Sequence, residues 1–217
     1  MTFIRWKIAQ WFELRWWKNY SREKNVEEYL AWKKQWWGAI LSMLPDEMQI
    51  WSDAKIIDLG CGPSGVFMMY GAYDVTAVDP LIEEYEKQIP FFSRKDFKNV
   101  KFVKATIEEF EPKEKFDFVF CMNAINHVRD FEKAMDVLVD CVGERRNLVL
   151  TIDAHNHAFF KNLFRLIPGD ILHPHQFDLA EYQSFLERRG IKILKSIRLK
   201  HEFFFDHYLI VATKNLS

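Results

Sequence analysis

The chain has 217 residues, of which 49% are hydrophobic and 28% charged, so it carries enough apolar side chains for one sizeable globular core. Its formal net charge of −1 argues against a broad nucleic-acid-binding surface, and no apolar run approaches the ~18 residues expected of a membrane-spanning helix. The cysteines are odd in number and lack the spacing of metal ligands, which favours a reduced, cytoplasmic location; they are Cys61, Cys121 and Cys141.

The first 50 residues differ in composition from the rest of the chain. Six of the 8 tryptophans lie within the first 36 residues, and through residue 37 the basic residues number 8 against 4 glutamates. We therefore divide the chain into an aromatic-rich helical extension, residues 1–50, and an α/β domain, residues 51–217.

Helical spacing predicts two helices in the extension, over residues 3–19 and 26–44, and Pro45 ends the second one. Three roles stay open for these helices: a lid packed over the sheet, a peripheral membrane-surface segment, or the interface of a homodimer rather than a monomer. In the second helix the spacing places one apolar stripe at Trp32, Trp36, Ile40 and Met43.

From Lys55 onward, apolar runs alternate with helical segments, as a parallel sheet requires. The clearest of the intervening helices spans Phe131 to Val142. Strands are expected at residues 55–59, 74–79, 100–104, 116–121 and 147–152.

The C-terminal segment indicates how the sheet ends. A last helix, Leu179 to Arg189, stops at Gly190, and two strands follow, Ile191 to Lys200 and Asp206 to Thr213. Their connection is too short for a parallel crossover, so the two strands are expected to pair in an antiparallel arrangement.

A glycine-rich turn after the first strand is the strongest functional signal. Gly60, Gly62 and Gly65 satisfy G-x-G-x-x-G, the pattern of a dinucleotide-binding loop. In such a site the loop amides hold a pyrophosphate, and the carboxylate of Asp58 would oppose that anion and suit a cation instead. The second strand ends on Asp79, whose carboxylate can accept hydrogen bonds from two ribose hydroxyls.

The run Asp58-x-Gly60-x-Gly62-x-x-Gly65 resembles the first motif of the class I S-adenosylmethionine-dependent methyltransferases. The resemblance implies an α/β fold, a seven-stranded Rossmann-like sandwich whose sheet is mostly parallel with an antiparallel last strand. It also implies that Thr106 or Ala105 stands where the family usually carries an aspartate for the adenine amino group. The cofactor-binding residues that follow from the resemblance are Asp58, Gly60, Cys61, Gly62, Gly65, Asp79, Pro80, Thr106, Ile107, Met122, Asn123 and His127.

Several histidines are candidates for the base that takes a proton from the acceptor. His127 follows the fourth strand, where it either lines the methyl site or packs locally at a helix start. His155 and His157 follow the fifth strand together with Asp153, as a base, a substrate clamp or a polar loop. They could also begin a metal site, but nothing is placed to complete one, so no metal is predicted. The residues expected to line the substrate are Asp153, His173 and His175.

These residues predict an S-adenosylmethionine-dependent methyltransferase that leaves S-adenosylhomocysteine as product. The expected acceptor is a small molecule, namely a hydroxyl, carboxyl or amine on a metabolite or glycan precursor. The fourth strand ends in Cys121-Met122-Asn123-Ala124 and lacks the Asn/Asp-Pro-Pro-Tyr run of methyltransferases that act on nucleic-acid bases. The alternative is a protein that binds S-adenosylmethionine without catalysis, as a sensor or structural partner.

Overall fold

In the computed structural model of the chain, the described residues are 2–157, 161 and 175–215. Seven strands form one sheet in the order β3-β2-β1-β4-β5-β7-β6. Strands β1 to β5 are parallel to one another, while β7 runs antiparallel to both β5 and β6. This arrangement confirms the predicted topology. The strands are β1 Lys55–Leu59, β2 Asp74–Val78, β3 Val100–Val103, β4 Phe116–Met122, β5 Val142–His155, β6 Ile191–His201 and β7 Phe205–Lys214.

The central strands are buried on both faces, and each face has its own apolar core. On one face, Val119 of β4 packs with the helices Phe131–Cys141 and Leu179–Glu187; on the other, Phe118 packs with the N-terminal helices and the helix Ile82–Gln88. This arrangement explains why β1 and β4 read as nearly continuous apolar runs rather than as alternating ones. The α-helices of the described residues are α1 Phe3–Ser21, α2 Val26–Leu41, α3 Ile82–Gln88, α4 Phe131–Cys141 and α5 Leu179–Glu187.

Two expectations about the connections were wrong. Only short 3₁₀ turns, among them Val66–Met69 and Ile107–Glu109, join β1 to β2 and β3 to β4, where helices were expected. The fifth strand starts at Val142, at the end of α4, rather than at residue 147. Val142 pairs with Phe116 across a register shift, and this pairing extends the strand through a polar stretch that does not look like a strand in the sequence.

The apolar stripe predicted for the second helix was right at Ile40 and wrong at Trp32, Trp36 and Met43. Tyr29, Trp37 and Ile40 are the buried residues of this helix, whereas Trp32, Trp36 and Met43 are exposed. Two of the inward aromatic side chains are hydrogen-bonded to the domain, Tyr29 to the Ser64 hydroxyl and Trp37 to the Ser64 carbonyl. Lys33 lies on the inward side of the helix, between Tyr29 and Trp37. Because a charged residue interrupts the buried side, helical spacing alone did not identify that side in the sequence.

Among the described helices, none is both long and apolar enough to cross a membrane.

Candidate active site

Two adjoining cavities lie at the carboxyl ends of β1, β2 and β4, the edge where ligands bind in open α/β sheets. The larger one has a volume of about 510 Å³. Its floor is the glycine-rich loop together with Met122, Asn123 and Thr151, and its roof consists of side chains from α1 and α2. The smaller one, of about 80 Å³, lies beside Asp79 and the turn that begins at Thr106.

The glycine-rich loop requires glycine at two positions with left-handed backbone. Gly60 has a φ of +70° and Gly62 one of +57°. A Cβ on Gly60 would lie 2.2 Å from the Cβ of Ala124, so the loops that follow β1 and β4 are in direct contact. The backbone amides of Gly60 and Cys61 donate to the Val78 carbonyl at 2.8 and 3.1 Å, so the loop is also held against the end of β2.

Asp79 is held in place by that loop. The backbone amide of Gly62 donates to Oδ2 of Asp79 at 2.9 Å, and the amide of Leu81 donates to Oδ1 at 2.8 Å. Each carboxylate oxygen keeps further acceptor capacity, because an ionised carboxylate has about four lone-pair sites. The arrangement therefore suits a pair of ribose hydroxyls.

Asp58 is a fully buried carboxylate at the end of β1. Its Oδ2 accepts a hydrogen bond from the backbone amide of Phe67 at 3.0 Å, while its Oδ1 has no hydrogen-bond partner among the described residues. The pKa of Asp58 is raised to about 7, chiefly by burial; the Phe67 amide opposes this shift and the nearby charge of Asp79 contributes to it. A buried carboxylate with an unused oxygen is suited to a cationic ligand.

Helix α1 brings a third carboxylate to the site. The hydroxyl of Tyr85 donates to Oε1 of Glu13 at 2.9 Å, and the amide of Gln10 donates to Oε2 at 3.3 Å. Burial raises the pKa of Glu13 above its usual range. The pKa of Asp79 is raised to about 7, chiefly by burial and then by the charge of Glu13.

Aromatic side chains and one lysine form the roof of the larger cavity. The Lys33 ammonium lies 4.0 Å from the ring centroid of Trp36 and 4.7 Å from that of Trp37. Burial lowers the pKa of Lys33 to about 8, although the charge of Asp58 opposes the shift. Phe12 and Trp16 of α1 complete the apolar wall.

Helix α2 is hydrogen-bonded to the glycine-rich loop through Ser64. The indole Nε1 of Trp37 donates to the Ser64 carbonyl at 3.0 Å, and the hydroxyls of Tyr29 and Ser64 lie 2.7 Å apart. These bonds hold the roof of the cavity against its floor.

A family model described as a methyltransferase domain matches residues 28–196. The chain belongs to this methyltransferase family. The match begins two residues after the start of α2, so it includes nearly all of that helix, whereas α1 lies before the match. The resemblance to class I S-adenosylmethionine-dependent methyltransferases is confirmed at the level of the family and of the fold.

Relatives of this methyltransferase-domain chain include proteins named as ubiquinone biosynthesis O-methyltransferases and an uncharacterized methyltransferase. The ubiquinone biosynthesis O-methyltransferase of Rickettsia bellii is 34% identical over 91 residues, which are 41% of this chain and 37% of that protein. The uncharacterized methyltransferase YcgJ of Bacillus subtilis is 27% identical over 169 residues, covering 74% of this chain and 66% of that protein. The chain thus spans little more than a third of the Rickettsia protein it matches.

Solved structures share the fold at low sequence identity. The crystal structure of YcgJ from Bacillus subtilis has a TM-score of 0.66 at 15% identity and covers 83% of this chain and 98% of that one. The Haemonchus contortus phosphoethanolamine N-methyltransferase 2, solved with phosphomonomethylethanolamine and S-adenosylhomocysteine, has a TM-score of 0.62 at 14% identity, covering 83% and 53%. These likenesses show the architecture of the methyltransferase domain, not its acceptor.

The structure brings most of the predicted cofactor residues of the methyltransferase domain to one place. Asp58 lies beneath the larger cavity, and His127 lines both cavities. Thr106 lines the smaller cavity, and its hydroxyl accepts from the Glu109 amide at 3.2 Å as the cap of a 3₁₀ turn. The remaining predicted residues line the larger cavity, Gly60, Cys61, Gly62, Gly65, Met122 and Asn123, or the smaller, Asp79, Pro80 and Ile107.

Of the other predicted histidines, His155, His157 and His175 do not line either of the two cavities. His155 is buried, hydrogen-bonded to the side chain of Gln176, with its ring centroid 4.4 Å from that of Phe205. The Nε2 atom of His175 lies 2.8 Å from the Val128 carbonyl oxygen, and burial lowers the pKa of this histidine. His157 is exposed, and His173 lies outside the described residues.

Asp153 forms an ion pair with His207, a residue that sequence reasoning missed. The two face each other across β5 and β7, and the hydrogen bond to Asp153 raises the pKa of His207. In the described residues, no three His, Cys, Asp or Glu side chains are grouped closely enough to hold a metal ion.

The sequence also missed Glu13, Lys33 and Trp37 as parts of the methyltransferase site. All three come from the N-terminal helices, which precede every motif of the sheet. The only signal in the sequence was the concentration of tryptophan with basic residues, and it does not indicate which side chain enters the cavity.

Proposed function

We propose that this chain binds S-adenosylmethionine and catalyses methyl transfer to an oxygen, in a hydroxyl or carboxyl group, of a small acceptor with a planar or apolar body. The observation that carries the proposal is a pair of buried carboxylates at the two adjoining cavities: Asp79 lines the smaller one, and Asp58 lies directly behind Gly65, which lines the larger, aromatic-walled one. One offers an unused oxygen to a cation, and the other offers acceptor capacity to a pair of hydroxyls.

The residues present fit that cofactor. Asp58 lies beneath the larger cavity, where it complements the ammonium and sulfonium charges, and Asp79 accepts the ribose hydroxyls. Thr106 and Ile107 border the smaller cavity, which suits the adenine ring. When bound, the cofactor supplies a methyl group on a positively charged sulfur.

The aromatic roof has the task of excluding water and aligning the acceptor. Lys33 already occupies the cation position over Trp36 and Trp37, so a positively charged amine in the same cavity would be repelled. An anionic or polar oxygen, carried on an apolar body, complements both the lysine and the rings. This argument favours oxygen over nitrogen, and the naming of the Rickettsia relative as an O-methyltransferase supports it.

Methylation of a hydroxyl releases a proton, so a base at the cavity is required. His127 borders both cavities, and we propose it as the group that receives this proton. The acceptor is small because the larger cavity, about 510 Å³, also holds part of the cofactor. The described cysteines are all free and buried, which supports the predicted cytoplasmic location.

Calorimetry of the purified full chain with S-adenosylmethionine, S-adenosylhomocysteine and NAD tests the cofactor assignment. Asp79→Asn should weaken S-adenosylhomocysteine binding by about 5- to 150-fold, equivalent to about 1–3 kcal/mol of lost charge-assisted hydrogen bonds. Asp74→Asn is the matched control, because Asp74 is exposed at the other end of the same strand. Tighter binding of NAD, or equal effects of the two variants, would refute the assignment.

A screen for S-adenosylhomocysteine release tests the acceptor. Phenols, alcohols and carboxylic acids should support turnover, and primary or secondary amines should not. A chain that binds the cofactor but turns over none of these acceptors would instead be the non-catalytic binder, and turnover with amines alone would overturn the oxygen assignment.

A further inference from the structure

The outward face of α1 is formed by large apolar side chains. The exposed fraction is 71% for Ile4, 41% for Ile8, 54% for Trp11, 44% for Phe12 and 55% for Trp16. Their spacing of three, four and one residues places them on one continuous side of the helix. This set is called here the α1 outer face. It is apolar, whereas the solvent-facing side of a helix in a soluble protein is normally polar.

The α1 outer face is not a misplaced part of the core, because the opposite side of α1 is already packed. Ala9 is buried there, Trp17 packs against the core beside Phe91, and Glu13 receives the hydrogen bond from Tyr85. Helix α1 is therefore apolar on both sides, and only one side has a partner within the described residues.

The charges on α1 indicate what covers the outer face. The helix carries four basic residues and one acid, and the acid, Glu13, points inward. Arg15 and Lys18 are exposed, and the Arg15 guanidinium lies 5.3 Å from the ring centroid of Trp11. Tryptophan and aliphatic side chains interleaved with cations are the composition of helices that lie in the interface of a membrane with anionic lipids.

A second copy of the chain fits this face less well than a lipid surface does. In a two-fold dimer through the outer face, the exposed cations of both copies would be brought together, and like charges at close range repel. An anionic bilayer complements the cations and accepts the apolar side chains at the same time.

The cavity opens on the same side. Phe12 and Trp16 belong to the outer face and also line the larger cavity, and the exposed ring of Trp36 stands beside them in its wall. We propose that the α1 outer face docks on the surface of an anionic phospholipid bilayer, with the mouth of the cavity turned toward the lipid.

Vesicle sedimentation with the full chain tests this proposal. Vesicles of phosphatidylcholine with phosphatidylglycerol should retain the protein, and vesicles of phosphatidylcholine alone should retain less of it. The double substitution Ile8→Ser with Trp11→Ser should weaken binding to the anionic vesicles by about tenfold or more, because it removes apolar area that enters the interface. Arg15→Gln with Lys18→Gln should weaken it by about 25-fold, roughly fivefold for each cation.

The matched control is Leu194→Ser, which removes an exposed apolar side chain from β6 and should leave vesicle binding unchanged. Each variant is also tested for S-adenosylhomocysteine affinity, which Ile8, Trp11, Arg15 and Lys18 should not affect because they do not line the two cofactor cavities. Wild-type protein that stays in the supernatant, or equal losses in the α1 and Leu194 variants, would overturn the proposal. Failure to bind S-adenosylhomocysteine would count against the proposed function and leave the docking result intact.

Discussion

Substitution of Gly60 by alanine tests the contact between the loops that follow β1 and β4. The new Cβ would lie 2.2 Å from the Cβ of Ala124, on a backbone with a φ of +70°. Non-bonded carbons pack at about 3.5–4.0 Å, so the two loops would have to separate by about 1.5 Å. The substitution therefore combines a steric conflict with backbone strain.

Both contributions can be given a magnitude. Overpacking costs about 1–3 kcal/mol and left-handed backbone about 1–2 kcal/mol, so Gly60→Ala should lower the free energy of unfolding by about 2–5 kcal/mol. Adding Ala124→Gly removes the conflicting atom, because the other neighbours of the new Cβ are then at ordinary distances, 3.6 Å to the Ala124 Cα and 3.7 Å to Ile107. The double variant should therefore recover the free energy of unfolding that was lost to the steric conflict, minus about 0.5–1 kcal/mol for the added flexibility of the new glycine.

Urea denaturation of the wild type, the two single variants and the double variant measures the coupling between positions 60 and 124. The affinity for S-adenosylhomocysteine of the same proteins reports on the shape of the glycine-rich loop. Gly190→Ala is the matched control: its φ is +78°, yet nothing lies within 4 Å of its Cβ position, so only the backbone strain should appear. If Gly60→Ala costs no more than Gly190→Ala, or if Ala124→Gly gives no rescue, the direct contact of the two loops is refuted.

Three further outcomes follow from the site. In the proposed site, cofactor binding needs the carboxylate forms of Asp58 and Asp79, whose pKa values are raised to about 7. Affinity for S-adenosylhomocysteine should therefore rise as the pH increases through 7, and a flat profile in calorimetry would contradict this. Glu13→Gln removes a negative charge that raises the pKa of Asp79, so the midpoint of that profile should move to lower pH, and a midpoint moving upward would be the wrong sign. Trp37→Phe leaves the Ser64 carbonyl without its indole donor and should cost about 1–3 kcal/mol in urea unfolding, whereas Trp36→Phe, at an exposed ring, should cost clearly less.

The sheet and the cofactor loop could be predicted because their signals are local. Asp58 lies near the end of the apolar strand β1, Asp79 directly follows β2, and glycines at fixed spacing mark the turn after β1. The short connection before β7 was enough to predict the antiparallel end of the sheet. In each of these cases, neighbouring residues in the chain determine the structure.

The roof of the cavity could not be predicted in the same way. The inward face of α2 includes Lys33, and a charge on a buried stripe makes the helical spacing point to Trp32 and Trp36 instead. The bond from Trp37 to Ser64 joins residues 27 positions apart, and nothing in the sequence of α2 indicates it. Likewise, strand periodicity places His155 near the carboxyl end of β5 but does not show that Gln176 covers it.

Glu13 of helix α1 is hydrogen-bonded to Tyr85, and its charge raises the pKa of Asp79, the proposed ribose-binding residue. Since Tyr85 belongs to α3, which follows Asp79, the attachment of α1 and the charge state of Asp79 form a single thermodynamic cycle. Such coupling is reciprocal: whatever tightens α1 on the domain must change cofactor affinity by the same factor by which the cofactor tightens α1. Under the docking proposal, a lipid surface that changes how α1 packs on the domain should therefore also change cofactor affinity, although it contacts no atom of the cofactor.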